Sequence, residues 1–170
     1  MKRHLPLLPA LLGLLLVGSG LAYGALERAI ASPGAAPLPR SVAGLGLAEE
    51  LAGPEAVGNI ARLHRQAFPL SAAAVGTDGD DTHSATLWVS ESPLSALAWQ
   101  MERAMEQAIA TTPTPFVPEE SQRLDGRLVH VLTGMGQRHY YFRSGDLIVW
   151  LAIDQPLAEA ALTETLAFYR

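Results

Sequence analysis

Cysteine is missing from all 170 residues. Its absence removes disulfides, thiol nucleophiles, cysteine-ligated zinc, iron–sulfur clusters, covalent c-type haem and a lipid-modified N-terminal cysteine. Lysine is nearly missing as well, since the basic residues are eleven arginines and a single lysine, Lys2. The folded part therefore has no lysine for a Schiff base or a phosphate loop. Charged residues make up only 17% of the chain, and their balance is acidic, with a formal charge of -5. No nucleic-acid partner is expected from such a surface. Apolar types reach 49%, which supplies a packed core and excludes global disorder. The length suits one domain behind a leader.

Lys2, Arg3 and His4 precede an uncharged run from Leu5 to Leu26, and Glu27 and Arg28 follow it. A basic start, an apolar centre and small residues, in that order, make a secretory signal. Ala22 and Gly24 suit a cut before Ala25, and Gly20 with Ala22 suits one before Tyr23. The same 22 residues are long enough to span hydrocarbon. Residues 1–26 are therefore read as a signal peptide or a signal-anchor transmembrane helix, with residues 5–26 in the lipid bilayer if uncleaved. Either way the body is expected outside the cytoplasm, in the periplasm or at the cell surface, as a secreted or single-pass anchored protein.

Residues 27–40, ERAIASPGAAPLPR, mix prolines and alanines and read as a tether. The domain then covers 41–170. Ser41–Leu47 is a weak strand candidate. Gly53-Pro54 opens a helix carrying Val57, Ile60, Ala61, His64 and Phe68 on one stripe. Leu70–Gly76 and His83–Ser90 read as a hairpin about the turn TDGDDT. Ser92-Pro93 starts an amphipathic helix whose apolar stripe is Leu94, Leu97, Ala98, Met101, Met105 and Ala108. The segment TTPTPFVPEE is expected to be an extended loop. Arg127–Thr133, Arg138–Ser144 and Leu147–Ile153 form a meander, and Asp154 and Pro156 start a last helix to Tyr169. The expected fold is α+β in two layers: an antiparallel sheet of about five strands, helices packed on one face, and an N-terminal hydrophobic helix in front. In element order alone the body resembles small periplasmic or lumenal α/β domains of the PsbP type, and it carries no motif specific to them.

Counting through the two meander turns gives cross-strand rows. Val129, Phe142 and Val149 make one core row, and Val131, Tyr140 and Leu151 the next. The opposite face collects His130, Tyr141 and Trp150, then Leu132, His139 and Ala152, then Leu128, Arg143 and Ile148. Trp88 and Thr86 join this face if the first hairpin shares the sheet. Tryptophan, tyrosine, histidine and arginine together mark surfaces that bind partners or amphiphilic ligands. Trp99 lies on the polar side of its helix, beside Glu102, Arg103 and Glu106. The candidate binding residues are thus Trp88, Trp99, His130, His139, Tyr141, Arg143 and Trp150.

Catalytic and metal chemistry find little support. His64, His83, His130 and His139 lie on separate elements without ligand spacing, and Asp78, Asp80 and Asp81 lack the rest of a calcium loop. No nucleophile elbow is present, and Gly134-Met135-Gly136 falls in a turn between strands, so it is not read as a dinucleotide fingerprint. Glu49-Glu50 and Glu119-Glu120 are read as solvated carboxylates in loops or helix turns. No catalytic residue, metal or cofactor is expected. The expected role is a noncatalytic, membrane-anchored accessory module that docks a protein partner or membrane complex through the aromatic face. The alternative is a secreted small-ligand or metal binder, with His130, His139, Tyr141 and Arg143 around a polar or anionic molecule.

Overall fold

The computed structural model describes residues 7–64, 66–79 and 82–170. Lys2, Arg3 and His4 of the leader, and Asp80 and Asp81 of the first hairpin turn, lie outside the described residues. A helix, α1 (Leu7–Ala31), comes first. From Leu11 to Ala31 it is long and apolar enough to cross a membrane.

Five long strands form the centre of the sheet. They are β5 (Ala72–Gly79), β6 (Ser84–Glu91), β9 (Arg127–Gly134), β10 (Gln137–Ser144) and β11 (Leu147–Ile153), in the spatial order β5-β6-β11-β10-β9. Every neighbouring pair among these five is antiparallel. Short strands extend both edges. On β5 lie β1 (Gly34–Ala35), which is parallel, and β4 (Ala48–Ala52), which is antiparallel and bulged; on β9 lie β7 (Phe116–Pro118) and β8 (Gln122–Leu124). The sheet is therefore nine-stranded and mixed, larger than the five-stranded antiparallel sheet expected. The extra strands come from segments whose prolines and glycines read as loop. They pair because the open edges of β5 and β9 present backbone donors and acceptors that need partners.

The meander has the register that counting predicts. Tyr141 faces His130 and Trp150, Phe142 faces Val129 and Val149, and Trp150 faces Trp88 on β6. Met135 and Gly136 alone form the β9–β10 turn, with φ of 53° and 84°, and Gly134 pairs with Gln137. Two positive φ values in succession twist the turn to match the strands.

Helices lie on both faces, which corrects the two-layer expectation. One face packs Leu87, Val89, Val129, Phe142, Val149 and Leu151 against α4 (Ala158–Phe168), and against Val42 and Leu45 of the small hairpin β2–β3 (Ser41–Val42, Leu45–Gly46). A 3₁₀ turn, Gln155–Leu157, leads into α4. Arg127 holds the far end of this helix by donating to the carbonyls of Leu166, at 2.9 Å, and Tyr169. On the opposite face, α2 (Gly53–His64) sets Ala56 and Ile60 on Ala73 and Val75, while α3 (Ser95–Thr111) lies over β10 and β11.

The stretch expected to be a tether is part of this body. Helix α1 continues to Ala31, β1 is hydrogen-bonded into the sheet, and Ala36 is buried in the core. Only Ser32 and Pro33 separate helix from sheet. Glu49 and Glu50, read as loop or helix-turn carboxylates, belong to β4, and Glu119 is paired with Arg138 at 2.7 Å.

Candidate functional site

Because side chains alternate along a strand, six of the seven expected site residues share one sheet face: Trp88, His130, His139, Tyr141, Arg143 and Trp150. Their rings stack into a ladder. Trp150 lies parallel to Tyr141 at 5.2 Å, and Tyr141 parallel to His130 at 4.3 Å. Phe116 of β7 packs against the ladder, 4.9 Å from His139 and 5.2 Å from Trp150.

The ladder is covered. His130, His139 and Tyr141 are buried, and Trp88 and Trp150 are half-buried. The cover is α3, which is turned so that Ala98 and Glu102 face inward while Leu94 is exposed. Leu97, Met101 and Met105 of the predicted stripe are half-buried with Ala98, whereas Glu102, read on the polar side, is buried for a chemical reason. Arg143 is a cation on the face that α3 covers, and it needs an anion there. Glu102 supplies it, accepting from Arg143 Nε at 3.1 Å. Burial opposes ionisation of this carboxyl, but His130 and Arg143 together outweigh it and hold its pKa below the ordinary value. The phenol of Tyr141 moves the opposite way, pushed up by burial and by the charges of Glu106 and Glu102.

Trp99, the seventh residue, lies away from the ladder on the outer side of α3, 52% exposed. It forms one rim of an open groove of about 750 Å³ between α3 and the β8–β9 edge. Arg123, Asp125, Arg127, Arg143 and Arg170 line the opposite side, and His130 lies at the floor. A second cavity of about 210 Å³ reaches His130 and Tyr141 from beneath Ile109 and Pro118. His130 therefore touches both spaces. Its Nδ1 is 3.3 Å from Ser121 Oγ. Its Nε2 is buried without a hydrogen-bond partner among the described residues, the nearest carboxylate oxygen being Glu102 Oε1 at 3.8 Å. A buried polar atom of this kind calls for a bound group or water.

Sequence reasoning missed Glu102, Ser121, Arg123 and Arg127 as parts of this site. Glu102 carried the one available signal, since it lies four residues after Ala98 on the same helical side. Among the described residues no group of three or more histidines and carboxylates is placed to hold a metal ion. Ser121, His130 and Glu102 stand in line, but the carboxylate is beyond hydrogen-bond reach of the imidazole and is engaged by Arg143.

No family model matches the chain, and neither a curated protein nor a solved structure matches it. The resemblance of its element order to PsbP-type domains gains no support from these comparisons.

Proposed function

We propose that this chain is a noncatalytic, membrane-tethered extracytoplasmic binding or accessory module, and that its working surface is the groove between Trp99 and the β8–β9 edge. The aromatic ladder then serves as the rigid floor of that surface. Burial of Tyr141 and His139 speaks against docking through the ladder itself, because a partner could reach it only by displacing α3.

One observation carries the reading: His130, whose Nε2 has no hydrogen bond among the described residues, lines a groove whose rim offers a half-exposed tryptophan and arginines. Flat aromatic contact beside charged hydrogen-bond donors is the usual make-up of a recognition surface. A hydrolytic role for Ser121 and His130 is disfavoured by the 3.8 Å gap to Glu102.

The test is photo-cross-linking in native membranes. A photoreactive residue in place of Arg103, at the groove, should give a discrete adduct that weakens with Trp99→Ala. The same residue in place of Glu159, exposed on α4, should not. Equal labelling from both positions would sink the proposal.

A further inference from the structure

We infer that the occupant of the groove is the phosphate headgroup of an anionic phospholipid from the bilayer that holds α1. This rests on the groove being the working surface and names what fills it.

Charge pairing selects an anion. Three side-chain carboxylates line the groove, and each is already engaged: Glu106 by Arg103 at 3.0 Å, Glu102 by Arg143 at 3.1 Å, and Asp125 by Arg127 at 3.6 Å. The guanidinium groups of Arg123 and Arg170 remain, without an ion pair among the described residues. An excess of cations here contrasts with the -5 of the whole chain. His130 Nε2, buried at the floor, offers a further polar contact to a ligand oxygen. Guanidinium forks suit phosphate oxygens.

Topology selects a lipid as the source. Gly34, Ala72, Glu91, Leu147 and Ser144 form one lateral row across β1, β5, β6, β11 and β10. Ser144 and Gly145 line the groove, and Gly34 is the first sheet residue after α1. The groove therefore opens at the end of the sheet where the anchor joins, about 19 Å along that row at the usual strand spacing. Two connecting residues allow the chain to span no more than roughly 11 Å between Ala31 and Gly34. The turns at the opposite end stand one strand length further away. Trp99 on the rim suits this placement, because tryptophan favours the headgroup layer.

The experiment uses the full chain in mild detergent, stripped of lipid, with native mass spectrometry as the readout. Phosphatidylglycerol, phosphatidylcholine and inorganic phosphate are titrated separately. Phosphatidylglycerol should bind in preference to phosphatidylcholine, and inorganic phosphate should not displace it. Arg123→Gln with Arg170→Gln should weaken phosphatidylglycerol about 30-fold, the factor that roughly 1 kcal/mol per arginine at a lipid surface gives for two arginines. Both side chains are exposed, so the melting curve of the double variant should match the parent. Equal binding of the two lipids, or a preference that survives the double variant, would overturn the inference. Displacement by inorganic phosphate would do so too, identifying a free-anion site. A protein adduct from position 103 without any lipid preference would overturn the lipid and leave the docking surface standing. Absence of any groove-specific adduct would remove both.

Discussion

Trp150 donates its indole N–H to Nδ1 of His139 at 3.1 Å. An indole nitrogen can only donate, so Nδ1 must accept, and the proton of the neutral ring lies on Nε2. That proton is given to the carbonyl of Gly134 at 3.0 Å. Both ring nitrogens are satisfied in one tautomer, and protonation would set two donors against each other. Burial lowers the pKa of His139 from 6.5, more than the Gly134 contact restores.

The sign of the pH dependence follows. Below 6.5 the unfolded chain takes up a proton that folded His139 refuses, so stability is full above that value and falls as pH drops towards the folded pKa. Urea midpoints should decrease between about pH 7 and 5. In His139→Gln, which still offers an acceptor to Trp150, the decrease should be smaller; an unchanged slope would remove His139 as its source.

Glu102 acts in a lower window. Its folded pKa lies below 4.5, so its contribution is present above that value and disappears as pH falls through the folded one. Glu102→Gln at neutral pH should cost about 1–3 kcal/mol, the usual loss for a charge-assisted buried hydrogen bond. A double-mutant cycle with Arg143→Met should return a coupling energy of that order, and additivity would show that the two do not interact.

How much of this was legible follows from the physics of each element. The rows through Phe142 and Tyr141 follow from the period of two along a strand and from counting through Gly134–Gln137, read as a four-residue loop, and the two-residue turn Gly145-Asp146, all of which are local. The cover over Tyr141 is not local. It depends on Glu102 meeting Arg143, forty-one residues away; the apolar stripe through Ala98 gave the inward side of α3 and the exposure of Trp99, but not the burial of Glu102. Ser92 looked like a helix cap. Instead Leu94 precedes α3 in an extended conformation, and the Ser92 hydroxyl faces Met101 Sδ at 3.2 Å. Gly34-Ala35 has no strand preference of its own and pairs only because the edge of β5 is there.

Gly134→Ala tests the lid over the ladder. A Cβ at this position would stand 2.6 Å from the Pro115 carbonyl and 2.8 Å from Phe116 Cδ1. Strand β7 would have to move, carrying Phe116 off His139 and Trp150. The expected cost is about 1–3 kcal/mol, with a red shift of tryptophan emission; an unchanged spectrum would show that Phe116 stays in place.

Arg127→Ala should destabilise the domain by about 2 kcal/mol, since it removes two hydrogen bonds to the end of α4 and a cation–π contact with Phe142. Amide hydrogen exchange should rise first in α4. Protection that falls equally everywhere would mean that the helix end does not open by itself.

The pairing of Gly34-Ala35 with Ala72-Ala73 sets a limit on how this protein can be shortened. A soluble version that starts at Ser32 keeps the edge of β5 capped. One that starts at Ser41 leaves the backbone of Ala72 and Ala73 bare beside an alanine-rich strand, where a second copy can add its own strand. The few residues next to α1 thus double as protection against self-association.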